Sequence, residues 1–167
     1  MNSNLKKLFG FAAITACSFG FAMNVNAASA TIVEATGVCT ATDMESLQEC
    51  AKGEVNKTKV KEITVTEDLT EIDDTVTIKN VDKVTFAAPA LTVKGNKKIS
   101  LTKAPLELTG TLSLEAGSSL ETNDTVKAGG DITVWAGSTL KVNVAKHGAT
   151  AFTGLDAGTN NIVLYKG

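Results

Sequence analysis

Residues Leu112–Asn123 read LSLEAGSSLETN, and residues Ile132–Asn143, twenty positions later, read ITVWAGSTLKVN. Five of the twelve positions are identical, and the apolar positions at the ends and centre keep their character. A repeat of this length, with short apolar–polar–apolar triplets around Ala-Gly-Ser, is typical of one coil of a β-solenoid. One coil cannot bury its inward side chains alone, so such coils stack on one another.

The same pattern runs through the middle of the chain. Nine triplets have apolar ends and an outward middle residue, as in short half-buried strands, and turn residues separate them. The triplets are Ile63–Val65, Val76–Ile78, Val84–Phe86, Leu91–Val93, Ile99–Leu101, Leu106–Leu108, Leu112–Leu114, Ile132–Val134 and Leu140–Val142. We predict an all-β fold, a small single-stranded parallel β-solenoid (β-helix) of four to six coils over residues 62–145. The alternative is an antiparallel β-sandwich, which also has short strands at regular spacing but no reason to repeat.

The twenty-residue repeat also predicts which side chains face the core. The inward positions are Leu114, Leu120, Val134 and Leu140. Ser118 and Thr139 are expected in a turn or on the outer face. Polar substitutions at the inward positions should therefore unfold the chain, and those at the outer positions should not.

Residues 1–27 have the pattern of a signal peptide. Lys6 and Lys7 form the positive region, Leu8–Met23 is apolar, and small residues precede a cleavage point after Ala27. The apolar run is shorter than the roughly 20 residues that a membrane-spanning helix needs. We predict export to the periplasm, the extracellular space or the cell surface, with no transmembrane segment after cleavage.

An alternative processing site lies inside this segment. The run Ile14–Cys17 resembles a bacterial lipobox, which would make Cys17 a lipidated N-terminus. The apolar run continues past this cysteine through Phe19–Met23, whereas the tethers of lipoproteins are polar. The sequence favours a soluble exported protein and leaves lipidation open.

Residues 28–61 are predicted to form an N-terminal strand and a helix that covers the first coil. Thr42 and Glu45 have the spacing of a capping box, Met44 and Leu47 form an apolar stripe, and Gly53 ends the helix. A solenoid has an open apolar end, and an amphipathic helix is one way to cover it.

Two cysteines remain after the signal peptide, Cys39 and Cys50. In an exported protein a lone pair at this separation is most simply a disulfide, which would tie the helix to the preceding strand. Two thiols supply only half of a structural zinc site, so we expect no metal and no cofactor.

The charge of the chain argues against nucleic acid as a partner. The formal net charge is −2 and the chain contains no arginine. Arginine is the side chain that reads phosphate and guanine with paired hydrogen bonds.

These features together resemble two groups of bacterial proteins. The strand, the helix TDMESLQECA and the segments Ile63–Thr66 and Val76–Asn80 resemble the entry into a right-handed parallel β-helix of the pectate-lyase-like class. The Leu-x-Leu-x-Ala-Gly-Ser-x-Leu repeats resemble the passenger regions of autotransporter adhesins.

The resemblance to pectate-lyase-like proteins implies calcium-binding acidic clusters and a basic catalytic residue, usually arginine. This chain lacks arginine, its acidic residues at Glu67–Asp74 lie in a turn, and no nucleophile constellation is present, so we predict no catalytic residues and no enzyme activity.

Three kinds of outward residue are candidate ligand contacts. Trp135 should point outward, because Ile132 and Val134 take the inward positions, and an exposed indole can stack on a sugar ring. A basic stretch, with Lys94, Lys97 and Lys98, could favour an anionic polymer or an envelope surface. Some of the outward threonines at the middle of their triplets could stack into a hydroxyl-bearing ladder. The outward threonines are Thr64, Thr77, Thr85, Thr92 and Thr133.

The C-terminal segment, residues 146–167, is predicted to cap or to assemble. Its apolar run Ile162–Tyr165 can pair on the last coil or with another subunit, and the turns before it favour folding back.

We expect an exported, non-catalytic β-solenoid with a structural, adhesive or surface-associated role. A carbohydrate-binding module on a pectate-lyase-like scaffold is the alternative.

Overall fold

The computed structural model describes residues 24–27, 30–154 and 162–164, and their secondary structure is mostly short strands. The predicted signal peptide and the alternative lipidation site at Cys17 fall largely outside the described residues. Residues 24–27 form the first strand. No helix in the described part of the chain is long and apolar enough to cross a membrane.

Every described strand is two to four residues long. They are β1 (Asn24–Ala27), β2 (Ala30–Val33), β3 (Val38–Ala41), β4 (Glu54–Val55), β5 (Thr58–Lys59), β6 (Glu62–Val65), β7 (Glu71–Ile72), β8 (Val76–Ile78), β9 (Lys83–Phe86), β10 (Ala90–Val93), β11 (Lys98–Leu101), β12 (Leu106–Leu108), β13 (Thr111–Leu114), β14 (Ser119–Thr122), β15 (Val126–Ala128), β16 (Ile132–Val134), β17 (Thr139–Val142), β18 (Phe152–Thr153) and β19 (Ile162–Leu164). The helices are α1 (Met44–Ala51), α2 (Val144–His147) and a 3₁₀ turn at Gly148–Ala151.

The strands form a parallel β-solenoid of about five turns. The eight-stranded sheet has the order β1-β2-β3-β6-β9-β12-β15-β18, the five-stranded sheet β19-β16-β13-β10-β7, and the four-stranded sheet β17-β14-β11-β8. The first coil is β6–β8, the second β9–β11, the third β12–β14, the fourth β15–β17, and β18 and β19 begin the fifth. Strands one coil apart pair in parallel, which confirms the solenoid and rules out the antiparallel sandwich.

The twenty-residue repeat corresponds to one coil. Leu112 in β13 pairs with Ile132 in β16, and Leu120 in β14 pairs with Leu140 in β17. Earlier coils run one to three residues longer, so the pairing of β8 with β11 joins Val76 to Ile99. The equivalent strands of the second and third coils also pair at one constant offset, Leu91 with Leu112 and Ile99 with Leu120, so their repeat was concealed by divergent residues rather than by a gap.

One turn, repeated in three coils, explains the Ala-Gly-Ser motif. The backbone N–H groups of Lys97, Ser118 and Ser138 donate to the carbonyl oxygens three residues before them, at 2.9–3.0 Å. The third residue of each turn has a positive φ: 62° at Asn96, 79° at Gly117 and 78° at Gly137. Glycine and asparagine tolerate this left-handed region, and most other side chains do not. The motif is therefore the corner between the five-stranded and four-stranded sheets.

The predicted inward residues lie in one continuous apolar core. Leu114 and Leu120 are fully buried, and Val134 is 8% exposed. Leu140 packs against the same core but is half-buried, because β17 is the last strand of the four-stranded sheet. The core thus weakens towards the C-terminal coil.

The helix α1 lies against the first coil, as predicted. It contacts β6 and β8, and Leu47 and Cys50 are fully buried. Its N-cap is Asp43 rather than Thr42, which corrects the predicted capping box by one residue. Asp43 accepts from the Ser46 backbone N–H at 2.8 Å, and the Ser46 hydroxyl accepts from the Asp43 N–H at 3.0 Å. Serine takes the role that the sequence pattern gave to Glu45.

The predicted disulfide is present. Cys39 in β3 and Cys50 in α1 are bonded, with their Cα atoms 5.8 Å apart. The bond fastens α1 to the strand that leads into the first coil. Such a bond is typical of proteins that fold in an oxidising compartment.

The C-terminal strand joins the end of the solenoid. In β19, Ile162 pairs in parallel with Ile132 of β16, and β18 pairs with β15. Both strands fall within the segment 146–167 that the sequence assigned to capping or assembly. Tyr165 and the turn residues Asn160 and Asn161 lie outside the described residues.

We expect Leu120→Asp to lower the free energy of unfolding by more than about 3 kcal/mol, because it buries an unpaired carboxylate between two coils. Thr139→Asp, on the exposed side of the paired strand β17, should cost less than about 0.5 kcal/mol. Urea denaturation of both variants measures the difference. Equal losses would contradict the assigned inward face.

Ser118 was predicted in the turn or on the outer face, and it is instead 1% exposed. Its Oγ has no hydrogen-bond partner among the described residues. A buried hydroxyl without a partner costs stability, so Ser118→Ala should leave the free energy of unfolding unchanged or raise it by up to about 1 kcal/mol. Ser118→Asp should lower the free energy of unfolding strongly. If the aspartate variant is as stable as the parent chain, the side chain at position 118 lies in solvent and its assignment to the core is wrong.

Candidate functional site

The predicted basic stretch is neutralised by acidic residues on neighbouring coils. Lys94 Nζ lies 2.8 Å from Glu115 Oε1 and 3.5 Å from Glu71 Oε1. Lys97 lies 3.8 Å from Asp74, and Lys98 lies 2.8 Å from Glu121. The sequence shows these lysines as a basic stretch, but the stacking of coils brings a carboxylate to each of them.

The eight-stranded sheet carries a second set of these cross-coil ion pairs. Glu107 Oε2 lies 2.6 Å from Lys83 Nζ in the preceding coil, and Glu107 Oε1 lies 2.7 Å from Lys127 Nζ in the following coil. One carboxylate therefore links three coils on the outer surface. Networks of this kind hold side chains in place better than single exposed pairs do.

The lysines keep these carboxylates ionised. Hydrogen bonds from Lys127 and Lys83 lower the pKa of Glu107 below its usual value. The Lys94 ammonium, together with the Gly95 backbone N–H, lowers the pKa of Glu115, and Lys98 lowers that of Glu121. All three shifts are downward, so these groups are anions near neutral pH and are unsuited to donating a proton there.

Trp135 lies on the outer surface, at the end of β16. Its side chain is 44% exposed, and its Nε1–H donates to the Ser113 hydroxyl of the preceding coil at 3.2 Å. The ring lines a shallow cavity of about 540 Å³ together with Thr92, Ser113, Glu115 and Ala116. The indole is thus both exposed and laid across the neighbouring coil.

The predicted threonine ladder divides between the three sheets. On the eight-stranded sheet, Thr64 and Thr85 are paired, and Thr31 and Thr40 extend the row. The five-stranded sheet has a row of Thr92, Ser113 and Thr133, and Thr77 pairs with Ser100 on the four-stranded sheet. Thr64 and Thr85 therefore do stack as predicted, while the other predicted threonines lie in different rows, and each sheet carries one short row of hydroxyl groups.

A second cavity, of about 690 Å³, lies where the sequence predicted no site. It is bordered by α1, by the hairpin of β4 and β5, and by β8. Its charged lining residues are Lys52, Glu54, Lys59 and Lys79. Lys52 forms an ion pair with Glu49, and Lys59 stands opposite Glu54 in the hairpin, so the lining mixes both signs. No sequence signal marked this cavity, because α1 and the hairpin meet only in the fold.

The acidic turn and the single histidine of the chain are also placed by the structure. Glu71 and Asp74 face Lys94 and Lys97, and His147 Nε2 lies 3.7 Å from Asp124 Oδ1. Within residues 24–27, 30–154 and 162–164, no group of three His, Cys, Asp or Glu side chains is arranged to hold a metal ion.

Comparison with protein-family models, with curated proteins and with solved structures found no match to this chain. The resemblance to pectate-lyase-like β-helices and autotransporter passengers therefore stays one of pattern. What the structure does show is a parallel β-solenoid of about five turns, with three strands in each complete coil.

The cross-coil pairs at Glu107 predict acid sensitivity. A carboxylate whose pKa is lower in the folded than in the unfolded chain stabilises the fold above its unfolded pKa of about 4.3, and this contribution disappears as the pH falls through the folded pKa. Glu107→Gln should therefore lower the free energy of unfolding at about pH 7 and make no difference at about pH 2. Urea denaturation across this range measures the effect.

Glu67→Gln is the matched control, because Glu67 is exposed in a turn and forms no ion pair with a described residue. Its unfolding profile should follow that of the parent chain at every pH. If both variants behave alike, the Glu107 pairs contribute nothing measurable to stability.

Proposed function

We propose that this chain is an exported, non-catalytic β-solenoid with a structural or adhesive role at a surface. The observation that carries the proposal is the outer surface, where paired lysines and carboxylates join successive coils and rows of hydroxyl groups stand in register. When many weak contacts form together between a rigid face and an extended ligand, the overall affinity exceeds that of any single contact. A polysaccharide or a cell-envelope surface is the partner we propose.

The electrostatics support a non-catalytic role. General acid catalysis near neutral pH needs a carboxyl group whose pKa is raised. The carboxylates of Glu107, Glu115 and Glu121 have lowered pKa values because lysines hold them. This arrangement suits cross-linking between coils rather than proton transfer.

The five-stranded sheet is the face that we assign to adhesion. It presents the row Thr92, Ser113 and Thr133, and Trp135 stands at its edge. The hydroxyl groups can exchange hydrogen bonds with a hydroxyl-rich polymer, and the indole adds apolar contact area. The described strands of the five-stranded and four-stranded sheets have no aromatic residue, and Trp135 lies in the corner turn that follows β16.

A second candidate function, a carbohydrate-binding module, is favoured by the position of Trp135. The two functions differ in the ligand that they need. An adhesive face depends on many weak contacts with an extended surface, whereas a module binds a short soluble oligosaccharide at one place.

The adhesive role predicts that the purified chain sediments with insoluble polymers such as cellulose, chitin or peptidoglycan sacculi. Thr133→Lys, at the middle of β16, should reduce the bound fraction several-fold, because it disrupts the hydroxyl row. Thr77→Lys, at the same position of β8 on the four-stranded sheet, is the control and should bind like the parent chain. Equal losses in both variants, or no binding to any of these surfaces, would refute the assigned face.

A further inference from the structure

The cavity beside Trp135 combines an aromatic surface with polar groups. The indole lines one side, and Thr92, Ser113 and Glu115 line the others. A pyranose ring has an apolar face made of C–H groups and a rim of hydroxyl groups. An aromatic ring next to hydrogen-bonding side chains therefore offers complementary contacts to both parts of such a ring.

The indole is held in position before any ligand binds. Its Nε1–H donates to Ser113 Oγ at 3.2 Å, which fixes the orientation of the ring. The backbone behind it is fixed by the turn at Trp135–Ser138, where the Ser138 N–H and hydroxyl both donate to the Trp135 carbonyl, at 3.0 and 2.6 Å. A preorganised side chain loses little conformational entropy on binding.

The charge of the cavity selects between ligands. Glu115 is held ionised by Lys94 Nζ at 2.8 Å and by the Gly95 N–H at 3.0 Å. Its carboxylate can accept hydrogen bonds from sugar hydroxyl groups, and it repels carboxylate or sulfate groups. The lysine that would attract an anion is already paired with Glu115 and lies near Glu71.

We propose that Trp135, Ser113, Thr92 and Glu115 form a subsite for one ring of a neutral polysaccharide. The apolar face of the ring stacks on the indole, and ring hydroxyl groups donate to Glu115 and exchange hydrogen bonds with Thr92 and Ser113. This inference rests on the carbohydrate-binding form of the proposed function. It extends that function by naming the atoms that bind and by choosing neutral over acidic sugars.

Trp135 is the only tryptophan of the chain, so its fluorescence reports on this subsite alone. Titration with neutral hexasaccharides of cellulose, xylan and chitin should change the emission saturably for at least one of them. Oligogalacturonate of the same length should bind at least about tenfold more weakly, because Glu115 repels its carboxylates. Calorimetry gives the affinities independently of the fluorophore.

Two variants separate recognition from folding. Trp135→Ala should weaken binding of the neutral oligosaccharide at least about tenfold in calorimetry, while thermal unfolding stays close to that of the parent chain. Glu115→Gln should weaken the neutral ligand and bring the affinity for oligogalacturonate closer to it, since Lys94 loses its nearest carboxylate. Thr77→Ala, on the four-stranded sheet, should change neither affinity.

Each contrary result has a defined meaning. If none of the neutral hexasaccharides binds, if oligogalacturonate binds equally well, or if Trp135→Ala binds like the parent chain, the subsite is refuted. Sedimentation with insoluble polymers that still depends on Thr133 would leave the adhesive role standing in that case. Failure of sedimentation alone, with a saturable fluorescence change, would refute the adhesive role and support the subsite.

Discussion

Hydrogen bonding between coils in a fixed parallel register is the constraint on which the rest of this structure depends. Once Leu112 pairs with Ile132 and Leu120 with Leu140, each residue is placed about 4.8 Å from its equivalent in the next coil. Inward residues then form apolar columns, and outward residues form polar columns. A slip of one residue would exchange the two faces along a whole strand. The apolar core and the outer ion pairs are consequences of the same register.

The corner turns maintain this register. A turn that needs a left-handed residue at its third position admits Asn96, Gly117 or Gly137 with little strain. The approach between coils is close there: a Cβ atom added to Gly117 would lie 2.5 Å from Asn96 Oδ1. Glycine at this position therefore serves both the turn and the stacking of one corner on another. At Gly137 the nearest atom to an added Cβ would be the Gly117 backbone N at 3.8 Å, so there only the turn requires glycine.

All nine predicted triplets lie in strands, because inward apolar residues flanking an exposed one are a local feature that the sequence displays directly. The strands that it concealed are those with weak inward residues. β7 has only Ile72, β15 ends in Ala128, and β14 turns Thr122 inward, where its hydroxyl donates to the Ala104 carbonyl at 3.4 Å.

The partners of Lys94 and Lys98 were also hidden, since each carboxylate lies more than twenty residues away and only the register brings it near. Trp135 was placed outward correctly, but its bond to Ser113 needed the same information.

The column that contains Trp135 shows how a repeat can produce a distinct site. Lys94, Glu115 and Trp135 each begin the corner turn of their coil, so they stack in this order. In the second and third coils the column is an ion pair, whose opposite charges satisfy each other across one step of the solenoid. In the fourth coil the next position is an indole, which cannot continue the alternation of charge. The carboxylate of Glu115 is therefore compensated from one side and borders an aromatic surface on the other. A continued lysine–glutamate column would have been uniformly polar, and the interruption is what places stacking and hydrogen-bonding groups around one cavity.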